Sequence, residues 1–388
     1  MEGLAQSGWS HLLEHLVFKG AGDMGARDIV ERIEAEGGSI NAATGYERTS
    51  FEVRGVEGSL GLALQVVSDL VFRPTLDPVE IEREKDVVAQ EIAEAFDTPD
   101  DHVFEMAQEA AFEGQSLGRP ILGSIESLKP VTRESIEAWR AMLYSPDRMV
   151  ITVSGSVDEN ELLKLAEQWF GSAVATPLAA LEPARFVGGH KTLTRKIEQA
   201  NMVFQIAAPG ADSKDLHTAR LFSEILGGGM ASRLFQSARE ERGLAYTIDA
   251  YLEPYADLGL IGIYAGAAAD RSLELAQVCA KEMADLAIEG PTEDELARAK
   301  AVLSAGLWMS DESSASRSGR LATQTLVYGA PISSEILVED LNSIDSDAMR
   351  RVGQSMLAAN RTATSVLGPK AASKAGAKFE AALDALRI

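Results

Sequence analysis

The chain has almost no cysteine, few histidines and a deficit of basic residues. Its 388 residues include one cysteine and five histidines, and 36 Lys and Arg stand against 59 Asp and Glu, a net charge of -23 at pH 7. With Cys279 alone, no intrachain disulfide and no cysteine-held metal site can form, and its amphipathic helical surroundings predict a buried thiol. The acidic balance argues against nucleic acid or an anionic membrane as partner, since both select basic surfaces.

Long apolar runs are also missing. No stretch reaches the roughly 18 apolar residues of a membrane-spanning helix. The longest candidate, LGLIGIYAGAAA from Leu258, is short and predicts a core strand. With 46% hydrophobic and 24% charged residues the composition is that of a soluble globular protein, and the length predicts about two domains.

The chain repeats one pattern in its two halves. RPTLDPVEIEREKDVVAQEI leads through further helices to the predicted strand MVITVSG, and GPTEDELARAKAVLSAGL leads in the same way to TSVLG. A repeat of this length predicts two copies of one domain, each α+β, with a mainly antiparallel β-sheet covered by helices. Between them, Pro and Gly without periodicity predict a linker at 175–191, which separates an N-terminal domain at 1–174 from a C-terminal domain at 192–388.

Two of the five histidines lie in HLLEHLVFKG, as His11 and His15, with Glu14 just before the second. SHLLEHLVF predicts a helix, with Ser10 as its N-cap, and residues four apart on a helix share a face. Both imidazoles can therefore reach one metal ion, for which zinc is the usual choice, and Glu14 can take a proton from its water. At this composition about 0.01 such patterns arise by chance. The alternative is a pair of solvated or core histidines.

A catalytic zinc site normally has three protein ligands, so one more is required. A carboxylate from the helix predicted at 79–97 is the better candidate, and spacing alone does not choose among Glu84, Glu91 and Glu94. Glu84 and Glu91 share a face with Val87 and Val88, which predicts partial burial; an exposed acidic face is the alternative. The remaining histidines are poorly placed to help: His102, His190 and His217.

Three segments carry a family resemblance, in this order: HLLEH, EGGSINAATGYERTSFEV and EREKDVVAQEI. Through them the chain resembles the pitrilysin and mitochondrial-processing-peptidase family of zinc metallopeptidases, the inverzincins. The resemblance covers essentially the whole chain. It implies that Glu91 is the third zinc ligand and that Glu84 supports the site. It also implies that Asn41 and Ala42 lie on an edge strand that receives the substrate backbone, where main-chain hydrogen bonds give affinity. For Asn41, a turn position after Gly37-Gly38 is the alternative.

The second half has no His-x-x-Glu-His pattern. Aligning Lys85 with Lys300 sets Gly306 opposite Glu91 and Ala299 opposite Glu84, which confines the predicted metal site to the first domain.

GGGMASRLFQSAREERGLAYTI, at 227–248, is similar to the other signature of the same family. By that resemblance Arg239 and Tyr246 contact the substrate and the tetrahedral intermediate, with Arg242 as a competitor for the arginine role. A surface arginine and a core tyrosine are the alternative.

The resemblance thus implies a zinc-dependent endopeptidase that cleaves short or unfolded peptides, with one Zn2+ per chain and Glu14 as general base. Relatives of this size usually pair two chains around a closed chamber. A homodimer, or a heterodimer with a related subunit, is therefore expected. The alternative function is a non-catalytic structural or substrate-binding subunit of a two-chain peptidase.

The position of the metal motif departs from the family pattern, because relatives carry a longer segment before it and here it begins at residue 11. The first strands of the N-terminal domain are therefore expected to be missing. No signal peptide is visible, and the expected location is the cytoplasm of a bacterial-type cell. The periplasm is the alternative, since the N-terminus looks truncated.

Overall fold

The structure, a computed structural model, describes residues 2–178 and 181–386. Two compact units divide the chain. Unit 1 comprises Met1–Glu94, Pro120–Glu182 and Glu312–Pro331; unit 2 comprises Ala95–Arg119, Pro183–Asp311 and Ile332–Ile388. Neither unit is one continuous stretch, whereas the sequence pattern predicts continuous domains. The change of unit after Glu182 falls within the predicted linker, in which 179 and 180 lie outside the described residues.

The regular elements are numbered in chain order. The helices are α1 (Trp9–Val17), α2 (Ala26–Ala35), α3 (Leu60–Phe72), α4 (Pro78–Asp97), α5 (Pro99–Ala111), α6 (Ile125–Leu128), α7 (Arg133–Leu143), α8 (Glu159–Phe170), α9 (Leu216–Gly227), α10 (Ser272–Glu289), α11 (Glu293–Asp311), α12 (Ser314–Tyr328), α13 (Ser334–Ser343), α14 (Ser346–Ala358) and α15 (Ala375–Asp384), with a π-helix at Phe235–Glu240. The strands are β1 (Gly20–Ala21), β2 (Met24–Gly25), β3 (Ser39–Thr44), β4 (Thr49–Arg54), β5 (Gly189–Thr194), β6 (Gln199–Ala208), β7 (Thr247–Pro254), β8 (Gly259–Ala268) and β9 (Ala363–Gly368). None of the described helices combines the length and apolar character that crossing a bilayer demands.

Unit 1 is mostly helical. Its strands form two antiparallel pairs, β1 with β2 and β3 with β4. In the second pair the register runs from Ser39↔Arg54 to Thr44↔Thr49, and side chains alternate between half-buried and exposed. The half-buried Ile40, Phe51 and Val53 pack against the core that contains α1. The hairpin is therefore docked on the helix that carries the histidines.

One strand predicted for unit 1 is wrong. MVITVSG, at 149–155, forms no regular strand and has no ladder partner among the described residues, although it starts extended at Met149 and ends in a bend at Gly155. An extended segment becomes a strand only when its N–H and C=O groups pair with a neighbour, and an alternating sequence does not specify that neighbour.

Unit 2 contains a five-stranded sheet in the order β5-β9-β6-β8-β7, in which only β5 and β9 run parallel. Met202 and Phe204 pack into the main helical core, and Val203 between them packs against α5. The strands predicted at Leu258 and TSVLG are present as β8 and β9. Cys279 is fully buried on α10, as its surroundings predict. The α+β class is thus confirmed.

Two lysines support the internal duplication. On α4, Lys85 Nζ donates to the carbonyls of Lys129 (3.2 Å) and Val131 (2.7 Å), between α6 and α7. On α11, Lys300 Nζ donates to the carbonyl of Asn342 (2.9 Å), just before α14. In each unit the aligned lysine ties its long helix to the region between the second and third helices that follow it, which supports aligning the two halves on this pair.

The start of α1 differs from the prediction that Ser10 caps it. Gly8 is the N-cap, with φ +82, and no side chain of its own can cap the helix. Glu2 performs this role instead, because its carboxylate accepts from the backbone N–H groups of Gly8 and Ser10, both at 2.9 Å. The left-handed conformation suits glycine, and a close approach to Leu122 requires it: a Cβ on Gly8 would lie 2.4 Å from that residue's carbonyl oxygen.

We expect Gly8→Ala to lower the free energy of unfolding by about 2–4 kcal/mol, since backbone strain adds to a clash. Gly58→Ala is the matched control, because Gly58 has φ +96 but no atom within 4 Å of an added Cβ. This control substitution should lower the free energy of unfolding by about 1 kcal/mol. Chemical denaturation measures both, and equal losses would contradict the close approach at Gly8.

Candidate metal centre

The buried face of α1 determines where its histidines point. Five side chains of this nine-residue helix are buried: Trp9, Leu12, Leu13, Leu16 and Val17. Trp9 adds a hydrogen bond from its indole nitrogen to the carbonyl of Ser127, at 2.9 Å. With the helix held in this rotation, the rings of His11 and His15 lie side by side, with centroids 4.6 Å apart. The i, i+4 prediction of a shared face is thus met.

Glu91 on α4 completes the cluster. Its Oε2 lies 3.9 Å from His11 Nε2 and 3.6 Å from His15 Nε2, and one ligand atom from each of the three residues falls within 4.8 Å of the others. Zinc bonds of about 2.0–2.1 Å at a tetrahedral angle set ligand atoms about 3.3–3.4 Å apart. The distance from His15 to Glu91 is within about 0.3 Å of that value, and the distance from His11 to Glu91 exceeds it by about 0.6 Å.

Two further observations fit a cation at this cluster. Glu91 Oε2 is buried and has no hydrogen-bond partner among the described residues, and a buried acceptor normally has one. Burial, followed by the neighbouring His15, lowers the pKa of His11 to about 4, so this imidazole is neutral at pH 7. The neutral ring is the form that binds a metal. Two imidazoles and a carboxylate are a donor set that suits zinc.

Glu84 occupies a different place from Glu91. Its side chain is only 5% exposed, and its Oε2 accepts from His15 Nδ1 at 3.1 Å, which leaves Nε2 facing the cluster. The other oxygen, Oε1, pairs with Lys19 Nζ at 2.9 Å. Among the carboxylates that spacing left open, the structure therefore brings Glu91 to the histidine pair and Glu84 behind it; Glu94 is outside the cluster.

The partial burial predicted for this face of α4 is confirmed, although its two valines differ. Val88 is fully buried, whereas Val87 is 38% exposed, because only one of two successive helical positions faces the core.

Glu14 lies beside the cluster and is half-buried. The hydroxyl of Thr44, the last residue of β3, donates to Glu14 Oε2 at 2.5 Å. This contact and that of Lys19 are not evident from the sequence, because both partners are polar residues in ordinary positions. The one sequence signal for Thr44 is that it lies two residues after Ala42, so that both side chains point to the same face of the strand.

Asn41 and Ala42 lie within β3, so the turn alternative for Asn41 is wrong. Asn41 is exposed and pairs in register with Glu52, and Ala42 is half-buried opposite Phe51. β3 has β4 as its one strand partner among the described residues, which makes it an edge strand.

Comparison with known proteins identifies the family. Residues 1–125 match the family described as Insulinase (Peptidase family M16), and 130–303 match Peptidase M16 inactive domain. The chain is 34% identical over 381 residues to an uncharacterized zinc protease of Mycobacterium leprae, covering 96% of this chain and 85% of that one. It is 32% identical over 351 residues to an uncharacterized zinc protease of Bacillus subtilis, covering 90% and 86%. The chain belongs to the M16 peptidase family.

Solved structures share the two-domain M16 fold. A protease from Helicobacter pylori has a TM-score of 0.85 at 20% identity and covers 95% of this chain and 90% of its own. A peptidase M16 inactive domain from Pseudomonas fluorescens has a TM-score of 0.87 at 20% identity, with 95% and 91% covered. Family membership and the names of the relatives support a peptidase-like function for this M16 chain.

The candidate residues of the segment at 227–248 lie at the surface of unit 2, although other residues of that segment are buried. Arg239 and Arg242 are exposed, and the Arg239 guanidinium stacks 4.6 Å from the ring centroid of Phe235. Tyr246 is 67% exposed, so the core-tyrosine alternative is wrong.

The other histidines have partners elsewhere. His102 lies 3.3 Å from Glu105, and His190 lies 2.7 Å from Thr364 and 2.8 Å from Glu380. Within the described residues, neither these histidines nor His217 belong to a metal-binding cluster.

Proposed function

We propose that this M16 chain is a zinc-dependent endopeptidase for short or unfolded peptides, with one zinc ion per chain held by His11, His15 and Glu91. The convergence of these three side chains, with Glu14 on the same helix, carries the proposal. Zinc bound there supplies Lewis-acid activation of water and of the peptide carbonyl.

The protein side chains divide the remaining chemistry among them. Glu14 takes a proton from the attacking water and passes it to the nitrogen of the leaving amine. The edge strand β3 binds the extended substrate backbone through Asn41 and Ala42. Arg239 and Tyr246, both exposed, steady the charge on the tetrahedral oxygen, with Arg242 as the competing arginine. Glu84 holds the ring of His15 through Nδ1.

The metal assignment predicts about one zinc per chain in protein purified without chelator. His11→Ala or His15→Ala should abolish zinc binding and peptide cleavage, since a remaining imidazole and carboxylate are too few ligands. Elemental analysis measures the zinc, and a quenched fluorescent peptide measures cleavage with and without chelator. His102→Ala is the control and should keep its zinc. Full zinc occupancy in the double variant His11→Ala/His15→Ala would sink the assignment.

A second prediction separates base from ligand. Glu14→Gln keeps shape and hydrogen bonding but cannot accept a proton, so it should retain zinc and lose turnover by about 10²-fold or more. Glu91→Gln should instead lose zinc. Normal cleavage by Glu14→Gln would refute the base assignment. A wild-type protein that binds zinc and peptide without cleavage would be the substrate-binding subunit of a two-chain peptidase.

We further propose a homodimer in which each zinc site is completed by Arg239 and Tyr246 of the other chain. The support is the family resemblance and the exposure of both side chains. Mixing Glu14→Gln with Arg239→Ala/Tyr246→Ala tests it, because a mixed dimer then has one site with both defects and one with neither. We expect activity to return in part. Subunit exchange, demonstrated with two affinity tags, but without recovered activity would contradict the trans arrangement.

A further inference from the structure

Glu14 is held from outside its own helix. Its Oε2 accepts from the hydroxyl of Thr44, and that hydroxyl lies 3.1 Å from the hydroxyl of Thr49. Thr44 and Thr49 are the last register pair of the β3–β4 hairpin. Threonines directly opposite each other on two strands can hydrogen-bond across the ladder, which fixes their rotamers. The hydrogen bond with Thr49 therefore fixes the orientation of the Thr44 hydroxyl that donates to Glu14.

Aromatic packing keeps the hairpin against α1. The ring centroid of Phe51, on β4, lies 6.3 Å from that of Phe18, the residue after α1. It lies 6.1 Å from the ring centroid of Tyr144, and these two rings pack edge to face. Burial raises the pKa of Tyr144, and the negative charge of Glu14 raises it further while Thr49 opposes the rise. The phenol is therefore a neutral group beside the threonine pair. The Thr44 hydroxyl and the Glu14 carboxylate thus lie in one contiguous set of packed side chains.

The same strand serves the substrate and the base. In β3, Ala42 and Thr44 share the half-buried face, and Asn41 lies three residues before Thr44. A peptide that pairs with the edge of β3 has its register set by that backbone. The strand that fixes the substrate's register then also fixes the base.

We propose that Thr44 is a positioning residue for Glu14, which ties the carboxylate of the base to the strand that binds the substrate. This inference rests on the proposed endopeptidase function. Misplacement of a catalytic group by about 1 Å costs up to about 10²-fold in rate. Loss of the Thr44 hydroxyl should therefore slow turnover and leave substrate binding and zinc binding unchanged.

Thr44→Val tests the kinetic part, since valine is isosteric and suits a strand. We expect kcat to fall about 10-fold to 100-fold, with KM and zinc content as in the wild type. Thr44→Ser, which restores the hydroxyl, should recover most of the loss. Ser50→Ala is the control, because Ser50 is an exposed hydroxyl of the same hairpin. Unchanged kcat in Thr44→Val, or a fall in zinc content that accounts for its lost activity, would overturn the proposal.

A metal-free measurement tests the contact itself. In chelator-treated protein, the denaturation midpoints of Thr44→Val, Glu14→Ala and the double variant form a double-mutant cycle. We expect the double variant to lose less than the sum of the single losses. Additive losses would overturn the proposed contact. If wild-type protein cleaves no peptide, the proposed function fails, and this cycle still decides whether Thr44 holds Glu14.

Discussion

The rotation of α1 about its axis is the constraint on which the site in unit 1 depends. Five buried side chains leave this helix one orientation in the core. That orientation turns His11 and His15 toward α4, and it sets Glu14 within reach of β3. A shift of one residue turns a helix by about 100°, which would bury either the histidines or Glu14 and expose a leucine. Apolar packing therefore sets the geometry of the chemistry.

Three carboxylates lie near the two imidazoles, and each has different hydrogen-bond or ion-pair partners. Glu84 is almost fully buried and is balanced by Lys19 and by the His15 ring. Glu14 is held by Thr44. Glu91 Oε2 is the exception, since it is buried without a hydrogen-bond donor among the described residues. Burying a charge is costly unless a partner offsets it. A divalent cation between Glu91 and the imidazoles would supply that partner.

The parts of the candidate site that the sequence indicates are local or periodic. The helix spacing in HLLEH and the heptad between Glu84 and Glu91 are properties of single helices. Spacing alone left Glu84, Glu91 and Glu94 open, and the family resemblance singled out Glu91. The roles of Thr44 and Lys19 depend on which elements pack together, and no local pattern encodes that. The strand expected at 149–155 fails for the same reason, since a ladder needs a partner. Likewise, 95–119 joins unit 2 through tertiary contacts that a linear domain boundary cannot express.

Unit 2 allows a comparison with a related helix that lacks the two carboxylates. On the alignment of Lys85 with Lys300, the buried Ala299 stands opposite Glu84, and Gly306 stands opposite Glu91 with open space around it. A long helix tied by its lysine to the end of the second helix that follows it therefore forms without either glutamate. In unit 2 the corresponding helix needs neither carboxylate, and burying one at the Glu84 position carries a desolvation cost that alanine avoids. In unit 1 both glutamates contact the histidine pair, where the proposed zinc site would use them.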